Sequence, residues 1–183
     1  MLRRSLHDGD LKAILRRVEA GKLDIGLGIF KRVPGVRRTP FFRFSLILIR
    51  AEQEGAPGRA TMTWSALNGQ PLISLAPDNP TQQLIDQQLA GAGVVCPQDT
   101  VVNLLDTQIA LVEANEGIAV IPSFGLPVAR NRKVTSTQRI NPVAHLEFHQ
   151  ISNRAKPLSP DAAEFTAFLK SYISRWAGRS GVL

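Results

Sequence analysis

Twice in this chain a run of helical period is closed by a residue suited to positive φ and followed at once by a short apolar run. Few folds accommodate that arrangement. In the first copy Leu11, Ile14, Leu15 and Val18 recur at i, i+3, i+4 and i+7, the spacing of one buried helix stripe. Gly21 follows, able to take positive φ at no steric cost, and Leu23-Asp24-Ile25-Gly26-Leu27 reads as a short buried strand. In the second, a helix capped by Asp106 runs through Leu111 and Val112, Asn115 closes it, and Ile118-Ala119-Val120-Ile121 is a buried strand stopped by Pro122. Asparagine is the residue after glycine that best tolerates the left-handed conformation.

Between and around these units the same alternation continues. Lys31 to Pro40 reads as a loop, and Phe41 to Ile49 as a long strand apolar on both faces. Glu52 to Gly58 is polar, with glycine and proline, and marks a candidate boundary. Leu72–Leu75 is a strand, Asp78-Asn79-Pro80 a turn and helix start, Leu84, Ile85 and Leu89 a helix face, and Gly91 and Gly93 its end. Val101-Val102 is a brief strand and Leu146–Ile151 a further one. Ser159 then caps a final helix with Pro160 at its first position, and Phe165, Phe168, Leu169, Tyr172, Ile173 and Trp176 form its stripe. Strands alternating with helices predict an α/β fold of mixed, mostly parallel sheets with helices on both faces.

Charge divides the chain. Residues 1–50 carry 12 Lys/Arg against 4 Asp/Glu (+8), residues 51–129 carry 1 against 8 (−7), and residues 130–183 carry 9 against 3 (+6). Two lobes of opposite sign, the first and last thirds folding together, explain this; chance surface decoration is the plain alternative. Nucleic-acid binding fits a basic chain, but the bases are scattered and aromatics are only 6%. A single cysteine, Cys96, excludes an internal disulfide framework. No apolar run reaches the about 18–20 residues of a membrane span. A soluble, cytoplasmic protein without membrane partners is expected.

Catalytic and metal chemistry find little support. Gly26-x-Gly28 has Lys31 where a dinucleotide fingerprint needs its third glycine. His145 and His149 share a strand face but lie roughly 13 Å apart at about 3.3 Å per residue, too far to share a metal. Cys96 precedes Pro97 with no evident base to activate it, and no G-x-S-x-G or P-loop is present. The expectation is a non-enzyme with no cofactor, no metal and no catalytic residues.

Four stretches carry a resemblance. They are Val18-Glu19-Ala20-Gly21-Lys22-Leu23-Asp24-Ile25-Gly26, Trp64-Ser65-Ala66-Leu67-Asn68-Gly69-Gln70-Pro71-Leu72-Ile73, Ala110–Pro122 and Pro157–Phe165. In this order and spacing the chain resembles the effector-binding domain of LysR-type transcriptional regulators. The resemblance implies a two-lobed, periplasmic-binding-protein-like (type 2) fold with two crossover strands, Phe41–Arg50 and His145–Ile151. Lobe one would be 1–50 with 145–183, and lobe two 51–144. Arg3–Leu6 would be the second strand of a first lobe lacking its first strand and helix. The family's winged helix-turn-helix is absent, so DNA would be reached only through a missing N-terminal domain.

The resemblance also implies a small-molecule effector held between the lobes, and a homodimer, or a tetramer at full length. Ligands in such folds sit at strand carboxyl ends and helix N-termini, where free N–H groups suit anions. Three places qualify. Ile29 and Phe30 follow the strand at 23–27; Asp78, Asn79 and Thr81 open the helix at 81–90; Asn103 and Leu104 pair with Pro122, Ser123 and Phe124. Each has a plain reading too: loop packing, simple capping, and turn or core residues. A small organic anion is the expected effector. A solute-binding protein or an enzyme on the same fold are the alternatives.

Overall fold

Asp10 starts the first helix by accepting a hydrogen bond from the Lys12 N–H at 3.0 Å, and Gly21, at φ 67°, ends it. The computed structural model describes residues 7, 9–52, 61–137 and 139–180, so the strand expected at Arg3–Leu6 lies outside the described residues. In chain order the elements are α1 (Leu11–Glu19), β1 (Gly26–Gly28), β2 (Val36–Ala51), β3 (Thr61–Thr63), β4 (Ser74–Leu75), α2 (Pro80–Gly91), β5 (Val101–Val102), α3 (Leu105–Glu113), β6 (Ala119–Pro122), α4 (Leu126–Ala129), β7 (Val134–Ser136), β8 (Arg139–Asn141), β9 (His145–Asn153) and α5 (Pro160–Ser180). The chain divides into two compact units, Met1–Arg43 with Glu147–Arg179, and one built on Phe44–Leu146. Both divisions fall inside strands, β2 and β9.

The first unit is centred on Val18, Phe30, Val36 and Ile151, against which Leu11, Ile14, Leu15, Leu23 and Val33 pack. β9 runs antiparallel to β1, with Gly26 opposite Ile151 and Gly28 opposite His149. Glycine is needed here for close approach: a Cβ on Gly26 would lie 2.7 Å from the Ile14 side chain. The amide of Asn153 donates to the Glu19 carbonyl at 2.8 Å, satisfying a carbonyl that α1 itself leaves unpaired at its end. α5 starts as expected, Ser159 Oγ accepting from the Ala162 N–H at 3.3 Å. Its stripe is buried less than the period implied: Phe168 is 59% and Tyr172 49% exposed.

In the second unit β2 alternates between two cores. Leu46 and Leu48 join Trp64, Leu72, Ile85, Leu89 and Val120 on one side; Ile47 and Ile49 join Ile73, Ile109, Val112, Ala119 and Ile121 on the other. Alternation of side chains puts both sets on one strand. Thus α2 covers one face through Ile85 and Leu89, and α3 the other through Ile109 and Val112. Burying each such side chain is worth about 1.5–3 kcal/mol.

Three sequence readings are corrected. The loop at Lys31–Pro40 gives way to strand from Val36 onward, with Pro40 inside it. A proline's fixed φ suits extended backbone, and its missing N–H matters only where the ladder needs a donor. The strand expected at 23–27 begins only at Gly26 and runs to Gly28, because the Lys22 and Leu23 N–H groups are still bonded to the Arg17 carbonyl at the end of α1. Pairing is mixed rather than mostly parallel among the described strands. β4–β5 and β3–β8 are parallel, while β1–β9, β2–β6 and β2–β7 are antiparallel. The two long strands, not the helix-linked ones, set that balance.

Candidate functional site

Three parallel segments define one edge of the second unit. β4 pairs β5 in parallel, Leu75 opposite Val102, and on its other side Leu72 bridges Ile118 in parallel, leading into β6. Parallel strands release their chains at the same edge. So the turn into α2 at Asp78–Thr81, the turn into α3 at Asn103–Leu104, and Ser123–Phe124 after β6 all emerge together. The antiparallel partner brings its opposite end there: Leu46 faces Pro122, and the Ser45 N–H donates to Ser123 Oγ at 3.3 Å. Ser123 is 3% exposed, and the Phe124 ring meets Phe44 edge-on at 5.0 Å between centroids.

The two helix starts differ. At α2 the Asn79 side chain caps the helix, accepting from the Thr81 N–H at 2.8 Å, and Pro80 carries no N–H. The buried Gln82 holds the adjoining strand: its Oε1 accepts from the Leu75 N–H at 2.9 Å, and its Nε2 donates to Asp86 at 2.8 Å. The N-cap residue of α3 is Leu104, which makes no side-chain capping bond and so leaves first-turn N–H groups for other acceptors. Asp106, expected as that cap, sits inside the first turn. Its carboxylate is taken instead by Arg132, at 3.0 and 3.2 Å. The helix starts one residue before Asp106, so its side chain is past the capping position and is free for a cation 26 residues away. Asn103 is exposed and Leu104 is 64% exposed.

Arg132 also reaches Glu113 at 3.3 Å. The Lys133 N–H, more than Arg132, holds the Glu113 carboxyl below its usual range, and the two carboxylates raise Arg132 above its own. The one acidic side chain in the first turn of α3 is thus ion-paired with Arg132. Below it Gln108, 1% exposed, donates to the Ile73 carbonyl at 2.7 Å.

Of the ten residues singled out from sequence, eight belong to this edge: Asp78, Asn79, Thr81, Asn103, Leu104, Pro122, Ser123 and Phe124. Ile29 and Phe30 lie in the first unit, Ile29 half-buried and Phe30, 5% exposed, in its core. Sequence reasoning missed Ser45, Gln82, Gln108 and Arg132. Of these only Gln82 and Gln108 left a local trace, as polar residues at the start of an expected helix. Among the described residues no group of three His, Cys, Asp or Glu side chains could hold a metal. Cys96 donates its thiol to the Leu67 carbonyl at 3.1 Å, and burial pushes that thiol up.

The family model described as LysR substrate binding domain matches residues 2–174. The chain belongs to the LysR substrate-binding domain family. Its sequence is 27% identical over 138 residues to the uncharacterized HTH-type transcriptional regulator YbhD of Escherichia coli. That match covers 75% of this chain but only 43% of the relative, so the chain spans less than half of that regulator's length. The fold of this LysR substrate-binding domain is shared with solved structures. The effector-binding domain of QuiR in complex with shikimate superposes with a TM-score of 0.77 at 17% identity, covering 91% of this chain and 79% of that one. The regulatory domain of Synechocystis CcmR in complex with 2-PG gives 0.73 at 15% identity, with 87% and 78% covered. CbnR, a LysR family transcriptional regulator, gives 0.74 at 18% identity, with 89% and 57% covered. The type 2 periplasmic-binding-protein-like fold expected from the sequence is thereby established.

Proposed function

We propose that this chain is the ligand-sensing part of a LysR-type transcriptional regulator and acts without catalysis of its own. Its effector, a small organic anion, rests on the shared carboxyl edge of β5, β4 and β6. One observation carries this reading: α3 starts uncapped on the same edge as the buried Ser123, while Arg132 offsets the one carboxylate in the first turn of α3. A helix N-terminus with free N–H groups favours negative charge. The relatives are transcriptional regulators, and two of the structural neighbours were solved with shikimate and 2-PG.

Effector binding alters output through its different affinity for two states of the regulator. DNA is contacted by a part of the regulator outside this chain, the protein works in the cytoplasm, and the domain pairs with a second copy of itself. No helix among the described residues is long and apolar enough to cross a membrane. A thermal-shift panel of small carboxylates and phosphates, shikimate included, tests the site. A binder at a hundred times its Kd stabilises the fold by about 2.7 kcal/mol, and Ser123→Ala together with Leu105→Pro, which removes a first-turn N–H at the helix position that best accepts proline, abolishes that gain. Binders whose effect survives both substitutions refute the placement.

A further inference from the structure

His149 is 3% exposed and lies in β9 opposite Gly28. Its Nε2 meets a guanidinium nitrogen of Arg38, which belongs to β2, 111 residues away in sequence. Arginine is only ever a donor, so Nε2 accepts and the ring's one proton sits on Nδ1. That Nδ1 is buried with no partner, as is Arg38 Nε. The Glu147 carboxylate, 53% exposed, stands 3.3 Å from the same Nε2. One nitrogen is thus within reach of a donor and an acceptor, and it can serve only one of them at a time.

We propose that Arg38 and His149 form an acid-sensitive latch between β2 and β9, closed while the imidazole is neutral and opened when it takes up a proton. Protonation puts hydrogen on Nε2, ends its acceptance from Arg38 and sets two cations against each other. Nδ1 finds no acceptor, so the imidazolium gains one partner only, Glu147, by turning away from Arg38. The charged groups at the ring are Arg38 from β2 and Glu147 from its own strand; His145, four residues along that strand, lies roughly 13 Å away at about 3.3 Å per residue. β1 brings Gly26, Leu27 and Gly28, and α1 meets it through Leu11 and Ile14. Lys170 of α5 lies over the Phe41 ring. Burial first, and then Arg38, hold the His149 pKa below its ordinary value, against the opposing pull of Glu147.

The sign follows. The latch is fully closed above the ordinary histidine range and is lost as pH falls below it through the depressed folded value. Amide-exchange protection of residues 36–39 and 147–151, corrected for intrinsic rates, is to be followed from about pH 7.5 to about pH 5. It should fall by up to about tenfold for each unit of depression. Arg38→Gln moves the acid midpoint up, Glu147→Gln moves it down, and His149→Gln, which keeps an acceptor for Arg38, removes it. Opposite shifts from two neighbours are not what a purely structural contact produces. Glu147 is half-exposed, so that variant remains foldable and the test stands if the others do not fold. Protection flat across this range, or a midpoint unmoved by Glu147→Gln, overturns the latch.

Discussion

Replacing Gly117 with alanine would place a methyl group 2.6 Å from the Pro71 carbonyl oxygen, closer than real Cβ contacts come, at a backbone φ of +156°. That carbonyl accepts the Ile118 N–H at 2.9 Å, the first bond aligning β6 beside β4. The cost has two parts. Holding a side chain in a sparsely populated φ region costs of order 1–3 kcal/mol, and the displaced hydrogen bond adds about 0.5–1.5 kcal/mol. A loss of about 2–4 kcal/mol follows. Gly69 is the control: its φ is +73° but no atom lies within 4 Å of the added Cβ, so Gly69→Ala incurs only the backbone part, about 1–2 kcal/mol. With a urea m-value of about 1–3 kcal/mol/M, midpoints should rank wild type, Gly69→Ala, Gly117→Ala. Because β6 carries Ser123 to the site edge, Gly117→Ala should weaken effector binding and Gly69→Ala should not. Equal midpoints for the two variants would refute the packing argument.

Cys96, half-buried with a raised thiol pKa, should react with a disulfide reagent more slowly than free cysteine, and urea should restore the rate; an equal rate in the folded chain contradicts that. Glu113 contributes stability above the ordinary carboxylate range that is lost as pH falls through its depressed value. Its exposure makes the effect small and salt-sensitive, so wild type and Glu113→Gln should converge in acid and diverge near neutrality. A pH-independent gap would show that Glu113 acts by packing alone. An antiparallel pairing of +8 (12 against 4, residues 1–50) with −7 (1 against 8, residues 51–129) should give a dimer that weakens modestly with salt in sedimentation, charges being screened within about 8 Å at physiological ionic strength. A strict monomer at low salt refutes it.

What was legible in the sequence was local. Asn115 does take φ 63° and Gly21 φ 67°, and Asn79 and Ser159 do open α2 and α5, because caps and left-handed residues act within one turn. The apolar run at Phe41–Ile49 told correctly of two buried faces. What failed needed distant partners. α3 starts at Leu105, which puts Asp106 inside the first turn and in reach of the distant Arg132, and β2 began five residues before the apolar run because partner strands, not side-chain period, fix where pairing starts. Gly117 gave no signal, since its need arises from a backbone 46 residues earlier, at Pro71. Strand ends and helix starts placed eight of the ten candidates on one edge of the second unit, while Ser45 and Arg132, whose bonds tie that edge together, came only with the fold.

The placement of the effector is tested most directly by amide chemical shifts during titration with whichever small anion stabilises the domain. The N–H groups of Leu105, Asp106 and Thr107 in the first turn of α3, with Ser123 and Phe124, should move together and saturate at one Kd. Thr81, whose N–H is already held by Asn79, should move less. Saturable shifts confined to other parts of the chain, with the α3 start and Ser123 unmoved, would contradict the account.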